Sequence, residues 1–263
     1  MKNFGTVPVS DTYKEKTEEE NWITQSTGGI FFKGQRVGSG FNIGNGYFLT
    51  AGHCCINDYF NMAVGTELFG VNFENGFFNQ QFYKINRVII ARNDAEIDFA
   101  ILQLEENPEN CVQLCYDEPY GIHQLSQAVV IAHHPEGGDM KVSKGIITLI
   151  DNDTNSKSVF DKASLFRYTP STMPGSSGAP IGLVEKKLVL GVHAEGDKDF
   201  QGYHAATSIK AIQEYLCKHT HYSLKTLTNA PDNNATQTQQ VPASSGRDID
   251  VESFLKGLGP GRT

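Results

Sequence analysis

The chain has no apolar run approaching the roughly 18 residues that a membrane span needs, so no membrane-spanning segment is expected. It also lacks the basic footprint of a nucleic-acid binder: 22 Lys and Arg face 30 Asp and Glu, for a formal net charge of −8, and no nucleic-acid partner is expected. The first twenty residues, MKNFGTVPVSDTYKEKTEEE, have no apolar core of the kind a secretory signal carries. Cysteine is scarce and odd in number: Cys54, Cys55, Cys111, Cys115 and Cys217. Such a set reads as reduced thiols rather than a disulfide framework. Cys111 and Cys115 are not followed by a second Cys or His pair at zinc-site spacing, so no metal site is expected. These absences point to a protein made and kept inside a cell. A secreted effector or a viral protein stays open.

Glycine, by contrast, is abundant at 26 of 263 residues, and from Gly28 onward it punctuates a regular texture. Apolar runs, most of them four to seven residues long, alternate with Gly, Asn and Asp turns. They include Gly29–Phe32, Gly40–Ile43, Tyr47–Thr50, Val88–Ile90, Phe99–Leu102, Ala128–Ala132, Gly145–Ile150 and Leu188–Val192. Their lengths and periods predict strands. Residues 208–217 alone read as helix, with Ile209, Ile212 and Leu216 at helical spacing and Thr207 or Ser208 as the cap. No internal repeat is visible in the letters. The strand-rich part divides near 107–122, where Asn107, Pro108, Pro119 and Gly121 interrupt it. Residues 1–27 read as a polar N-terminal segment and 219–263 as a disordered tail, because 229–247 holds almost nothing apolar. Val251, Phe254, Leu255 and Leu258 give that tail a short apolar patch, for which a frayed end is the plainer reading and docking of a partner the alternative.

Three segments carry chemistry together. In Leu49-Thr50-Ala51-Gly52-His53-Cys54 a His follows the end of a strand. In Ile97-Asp98-Phe99-Ala100-Ile101-Leu102 an Asp opens an apolar strand. In Met173-Pro174-Gly175-Ser176-Ser177-Gly178-Ala179-Pro180 small residues flank a Ser on both sides. A nucleophilic Ser needs such neighbours, because the backbone must bend sharply and substrate must come close to main-chain N–H groups. The N–H groups of Gly175 and Ser177 could then converge on one oxyanion.

With His, Asp and Ser in that order, each beside a strand, the chain resembles the chymotrypsin-like (trypsin-like) serine peptidases over about residues 28–218. The resemblance implies an all-β fold of two antiparallel six-stranded barrels, residues 28–118 and 119–218, with a helix closing the second. It also implies a triad, with Ser177 as nucleophile, His53 as general base and acid, and Asp98 orienting the imidazole. Gly175 and Ser177 would supply the oxyanion hole, the substrates would be proteins or peptides, and no cofactor is called for. An α/β-hydrolase elbow does not fit, since His and Asp precede the Ser. A protease-like domain that binds without cutting is the alternative; the complete triad and oxyanion glycine argue against it.

The departures from the family pattern are informative. Cys54 has no cysteine upstream with which to form the bridge that secreted members carry. Ser176 stands where those members have the Asp that receives a newly cut N-terminus. The chain is therefore more similar to glutamyl endopeptidases and serine 3C-like proteases. In those branches the strand corresponding to Gly191-Val192-His193 puts its His in the S1 pocket, and Thr172 falls where a Thr contacts the P1 side chain. Ser171 takes the place of the Asp that reads Lys or Arg. The expectation is cleavage after Glu, with Gln next. Ala194 to Gly196 are expected to offer an edge strand to an extended substrate. Of His133 and His134, adjacent on a strand and so on opposite faces, at most one is expected near the cleft.

Overall fold

The structure is a computed structural model that describes residues 17–56, 64–66, 68–74, 80–94, 96–116, 126–150, 165–196 and 204–228. The low-complexity stretch at 229–247, the apolar patch near residue 255, and Pro119 and Gly121 lie outside the described residues.

Twelve strands form two closed antiparallel barrels. The first contains β1 (Thr27–Phe32), β2 (Gln35–Gly44), β3 (Tyr47–Thr50), β4 (Phe69–Glu74), β5 (Gln80–Asn93) and β6 (Asp98–Leu104), in the order β1-β2-β3-β6-β5-β4. The second contains β7 (Ala128–His133), β8 (Lys141–Ile150), β9 (Leu165–Tyr168), β10 (Pro180–Leu183), β11 (Leu188–Glu195) and β12 (His204–Ser208), in the order β10-β11-β12-β9-β8-β7. Counted from their own first strands, both barrels have the same topology, a repetition that the letters do not show.

Each barrel closes around its own apolar interior. In the first, Phe48, Phe73 and Tyr83 meet edge to face, with Phe48–Phe73 and Phe73–Tyr83 centroids 5.8 Å and 5.6 Å apart. Such pairs add about 0.5–1.5 kcal/mol beyond area burial. The second interior contains Val129, Ile131, Ile147, Phe166, Ile181 and Leu190, and also the fully buried Tyr168. The helix arrives as expected: α2 (Ile209–His219) is capped by Ser208, whose side chain accepts from Ala211 N at 3.1 Å, and it buries Ile209, Ile212 and Leu216. Tyr215 of α2 meets Phe99 of the first barrel at 5.7 Å, so this helix bridges the barrels.

The described parts of both end segments are packed further than their composition suggests. Within the polar N-terminal segment, the short α1 (Asn21–Thr24) buries Ile23 against Val130, Ala132, Met140 and Val142 of the second barrel. At the other end, α3 (Leu224–Thr228) buries Leu224 and Leu227 on the first barrel's core, and Asn45 Nδ2 donates to Leu227 O at 2.8 Å. Residues 224–228 thus belong to the folded body, because two leucines at helical spacing find an apolar face. Among the described residues no helix is long and apolar enough to cross a membrane.

Candidate active site

Strand pairing brings the first two site residues together. β3 pairs with β6, with Thr50 opposite Ala100, so the chain leaving β3 passes the start of β6. His53 lies there, in a short 3₁₀ turn over Gly52–Cys54. Asp98 grips it twice: His53 N–H donates to Oδ1 at 3.0 Å, and Nδ1 lies 2.7 Å from Oδ2. The Asp98 side chain is 1% exposed and that of His53 34%, so the buried carboxylate orients an imidazole whose far edge reaches the surface. Burial alone lowers the pKa of His53. The hydrogen bond that His53 donates to Asp98, then the neighbouring Cys54 and the Asp98 charge, outweigh it and hold the value above the ordinary 6.5. Thr207 Oγ1 on β12 donates to Asp98 O at 2.8 Å and ties the second barrel to this corner.

Ser177 lies in the turn before β10, with its backbone clamped to the first barrel. Ser39 N donates to Ser177 O at 2.8 Å, and the Cys54 thiol approaches the same carbonyl at 3.9 Å. The nucleophile candidate is thereby set against the residue that follows His53. Gly178 has φ +89°, and a Cβ there would overlap Ser39 O and Thr50 Oγ1; only glycine lets the two barrels approach this closely.

The oxyanion geometry follows from peptide planarity, which sets each C=O antiparallel to the following N–H. Pro174 O accepts from Glu136 N at 2.6 Å, so the Gly175 N–H points the other way. Ser176 O accepts from Ala179 N at 3.0 Å, so the Ser177 N–H is likewise turned from the loop interior. Among the described residues no acceptor takes either N–H. Gly175 has φ +92°, and a Cβ there would lie 2.5 Å from His134 O.

At the position of the family's aspartate, Ser176 is fully buried and solves the same problem without charge. Its Oγ accepts from Met173 N at 3.1 Å and shares a 2.7 Å hydrogen bond with His133 Nδ1. The other ring nitrogen of His133 lies 3.2 Å from Ser143 Oγ. Burial, then nearby His204, pushes the pKa of His133 down to about 3, so the chain Ser143–His133–Ser176 is neutral. Both adjacent histidines are fully buried. His133 points into the second barrel, whereas His134 faces the inter-barrel seam, its Nδ1 3.1 Å from Gly138 O.

His193 is 3% exposed and hydrogen-bonded through Nδ1 to the hydroxyl of Tyr168. Burial, then His204, holds its pKa well below 6.5, and burial raises that of Tyr168, so both are neutral. Thr172 Oγ1 lies 2.8 Å from Nδ1 of His204, whose ring is 6.2 Å from that of His193. The structure thus joins Thr172 and His193 in one polar wall and adds Tyr168 and His204, which the sequence reading missed. A signal existed for His204, a lone His amid the small residues of β12.

The registers also show where β11 extends past its neighbour. β11 pairs with β10 only as far as Val192, while on its other side it stays paired with β12 to Glu195. Ala194 and Glu195 therefore run beyond the last residue of β11 that pairs with β10; Gly196 beyond them is exposed.

Residues 38–192 match the trypsin-like peptidase domain. The chain belongs to this family. It is a serine endopeptidase with the chymotrypsin-like fold. Among solved structures, the active form of the Rv3671c protease from M. tuberculosis is similar over 83% of this chain and 93% of its own, at 17% identity and TM-score 0.54. The HtrA-type protease AlgW with a decapeptide is similar over 76% of this chain and 67% of its own, at 15% identity and TM-score 0.57. A serine endoprotease from Yersinia pestis is similar over 78% and 67%, at 16% identity and TM-score 0.57. At these identities the likeness concerns the fold. Comparison with curated proteins found no match. All five cysteines of the peptidase are free thiols, Cys54 included.

Proposed function

We propose that the peptidase cuts after Glu or Gln, in the manner of glutamyl endopeptidases and serine 3C-like proteases, through His53, Asp98 and Ser177. His53 takes the proton of Ser177 as the hydroxyl attacks the scissile carbonyl, and later returns it to the leaving amine. Asp98 holds Nδ1 protonated and stabilises the imidazolium, and the N–H groups of Gly175 and Ser177 receive the oxyanion. An extended substrate pairs with β11 along Ala194 to Gly196, beyond that strand's pairing with β10, which makes the attack effectively unimolecular.

The observation that carries the P1 assignment is the polar wall of Thr172, His193 and His204, with Tyr168 behind it. Imidazole N–H and hydroxyl groups match a carboxylate or carboxamide oxygen, and none of these four residues is a carboxylate for Lys or Arg. A neutral His193 suits the uncharged amide as well as the acid, so Gln competes with Glu on closer terms than the sequence alone suggests. Pockets built to hydrogen-bond their substrate discriminate by about 10⁴ or more. Cleavage of a diverse peptide library is expected to give fragments ending in Glu or Gln. Fragments ending in Lys, Arg or large apolar residues would contradict the pocket and leave the triad standing. Five free thiols favour a reducing compartment as the place of action.

The same geometry sets a pH dependence. An imidazolium cannot accept the proton of Ser177, so activity rises as pH climbs through the His53 pKa. Because Asp98 holds that pKa above 6.5, the acid limb of the kcat/KM profile is expected above 6.5. A limb at or below this value would mean that Asp98 does not stabilise the cation.

A further inference from the structure

A pair of residues in the first barrel reaches the turn that borders the loop around Gly175. Arg36 on β2 and Glu74 at the end of β4 form an ion pair, Nη2 to Oε1 3.0 Å, with side chains only 6% and 11% exposed. Their other hydrogen bonds reach across the seam to the 134–140 turn between β7 and β8. Arg36 Nη1 donates to Gly138 O, and to Gly137 O at 3.2 Å. Glu74 Oε2 accepts from Met140 N at 3.3 Å, and its Oε1 lies 3.7 Å from His134 Nδ1.

That turn needs holding. Glu136 and Gly137 both have positive φ, 55° and 69°, and for Glu136 this conformation persists only where surroundings impose it. Its N–H is the group that donates to Pro174 O and thereby fixes which way the Pro174–Gly175 peptide faces. Ser39 on β2 makes a second tie: its Oγ accepts from His134 N at 3.0 Å and donates to Gly175 O at 2.8 Å.

We propose that Arg36 and Glu74 are positioning residues for the oxyanion hole, acting through the 134–140 turn on the Pro174–Gly175 peptide. The proposal rests on the reading of Gly175 and Ser177 given above. Without the pair, Glu136 is no longer held against Pro174 O. The peptide is then free to rotate, and the Gly175 N–H leaves the place where the oxyanion forms. In secreted relatives a charged N-terminus supports this loop from within. Here Ser176 and His133 support it from within by neutral hydrogen bonds, and the ion pair acts from outside. A buried pair of this kind is costly to break from one side only, because the remaining charge is left uncompensated. The loss falls on the transition state, since the ground-state carbonyl makes little use of the hole.

The test uses the full chain with Glu74→Gln, Arg36→Met and Arg36→Lys. For each, kcat and KM are measured on a cleaved peptide. Binding is measured for the matching peptide aldehyde, whose adduct oxygen occupies the hole, and for the peptide acid product, which does not need it. Glu74→Gln and Arg36→Met are expected to lose roughly 10- to 100-fold in kcat and in aldehyde affinity together. KM and product affinity stay within about twofold, and Arg36→Lys recovers part of the loss. Unchanged kcat and aldehyde affinity in Glu74→Gln would overturn the proposal. So would a loss shared equally by aldehyde and product, the mark of general loosening. If Arg36→Met does not fold, the nearly isosteric Glu74→Gln decides alone. Failure of the wild type to react at Ser177 would sink the site reading itself. A reactive wild type with unaltered variants would sink only the role of the pair.

Discussion

Ser177→Ala is expected to lower kcat for peptide cleavage by about 10⁶-fold while the melting temperature stays unchanged. The size follows from the division of labour in the site. Without the hydroxyl there is no acyl-enzyme, and His53 has no nucleophile to activate. What survives on the proposed reading is binding along β11 and the two oxyanion N–H groups, worth a residual of about 10³–10⁴ over uncatalysed hydrolysis. The fold should tolerate the change because the structural role of Ser177 belongs to its backbone: the carbonyl accepts from Ser39 N. Steady-state kinetics beside thermal melting checks this. A loss of only a few-fold, with folding intact, would mean that another group attacks.

Asp98→Asn is expected to cost about 10⁴ in kcat, the size associated with the buried triad Asp of trypsin-like enzymes. In the native site both carboxylate oxygens accept from His53, one from the backbone N–H and one from Nδ1. An amide offers one acceptor and one NH₂ group. If its oxygen stays on the backbone N–H, the NH₂ faces Nδ1 and forces the proton to Nε2, the nitrogen that must accept from Ser177. The variant also removes the charge that stabilises the imidazolium. The His53 pKa therefore falls, and the acid limb of kcat/KM moves to lower pH as the maximum drops. A pH–rate comparison of the two proteins reads both effects. A drop in rate with an unmoved limb would contradict the charge argument and leave the tautomer argument in place.

Much of this architecture was legible in the letters because its signals are local. β3, β6, β7, β8 and β11 are runs of β-branched and aromatic residues bounded by turn residues, and each triad residue sits beside such a run. Ser208 was readable as a cap because the apolar spacing behind it is helical. The strands that escaped are short or atypical. β4 carries a buried Asn72, β10 opens on Pro180 and contains Gly182, and β12 contains two alanines, all residues depleted in strands. Their assignment rests on the barrel that surrounds them. The supporting residues of the site escaped for another reason. Tyr168 meets His193 across two strands, Ser176 meets His133 across the second barrel, and Arg36 reaches Gly138 from the first barrel. No spacing along the chain announces such partners. The adjacent pair His133–His134 shows the limit well: alternation placed the two rings on opposite faces, but only the fold shows that one supports the nucleophile loop.

The most direct test of the central claim is to treat the intact peptidase with a fluorophosphonate and locate the adduct by peptide mass mapping. A single adduct on Ser177, absent in Ser177→Ala and slow to form in Asp98→Asn, is the result this account requires. Efficient peptide cleavage by a protein that carries no adduct, or carries it on another residue, would contradict it.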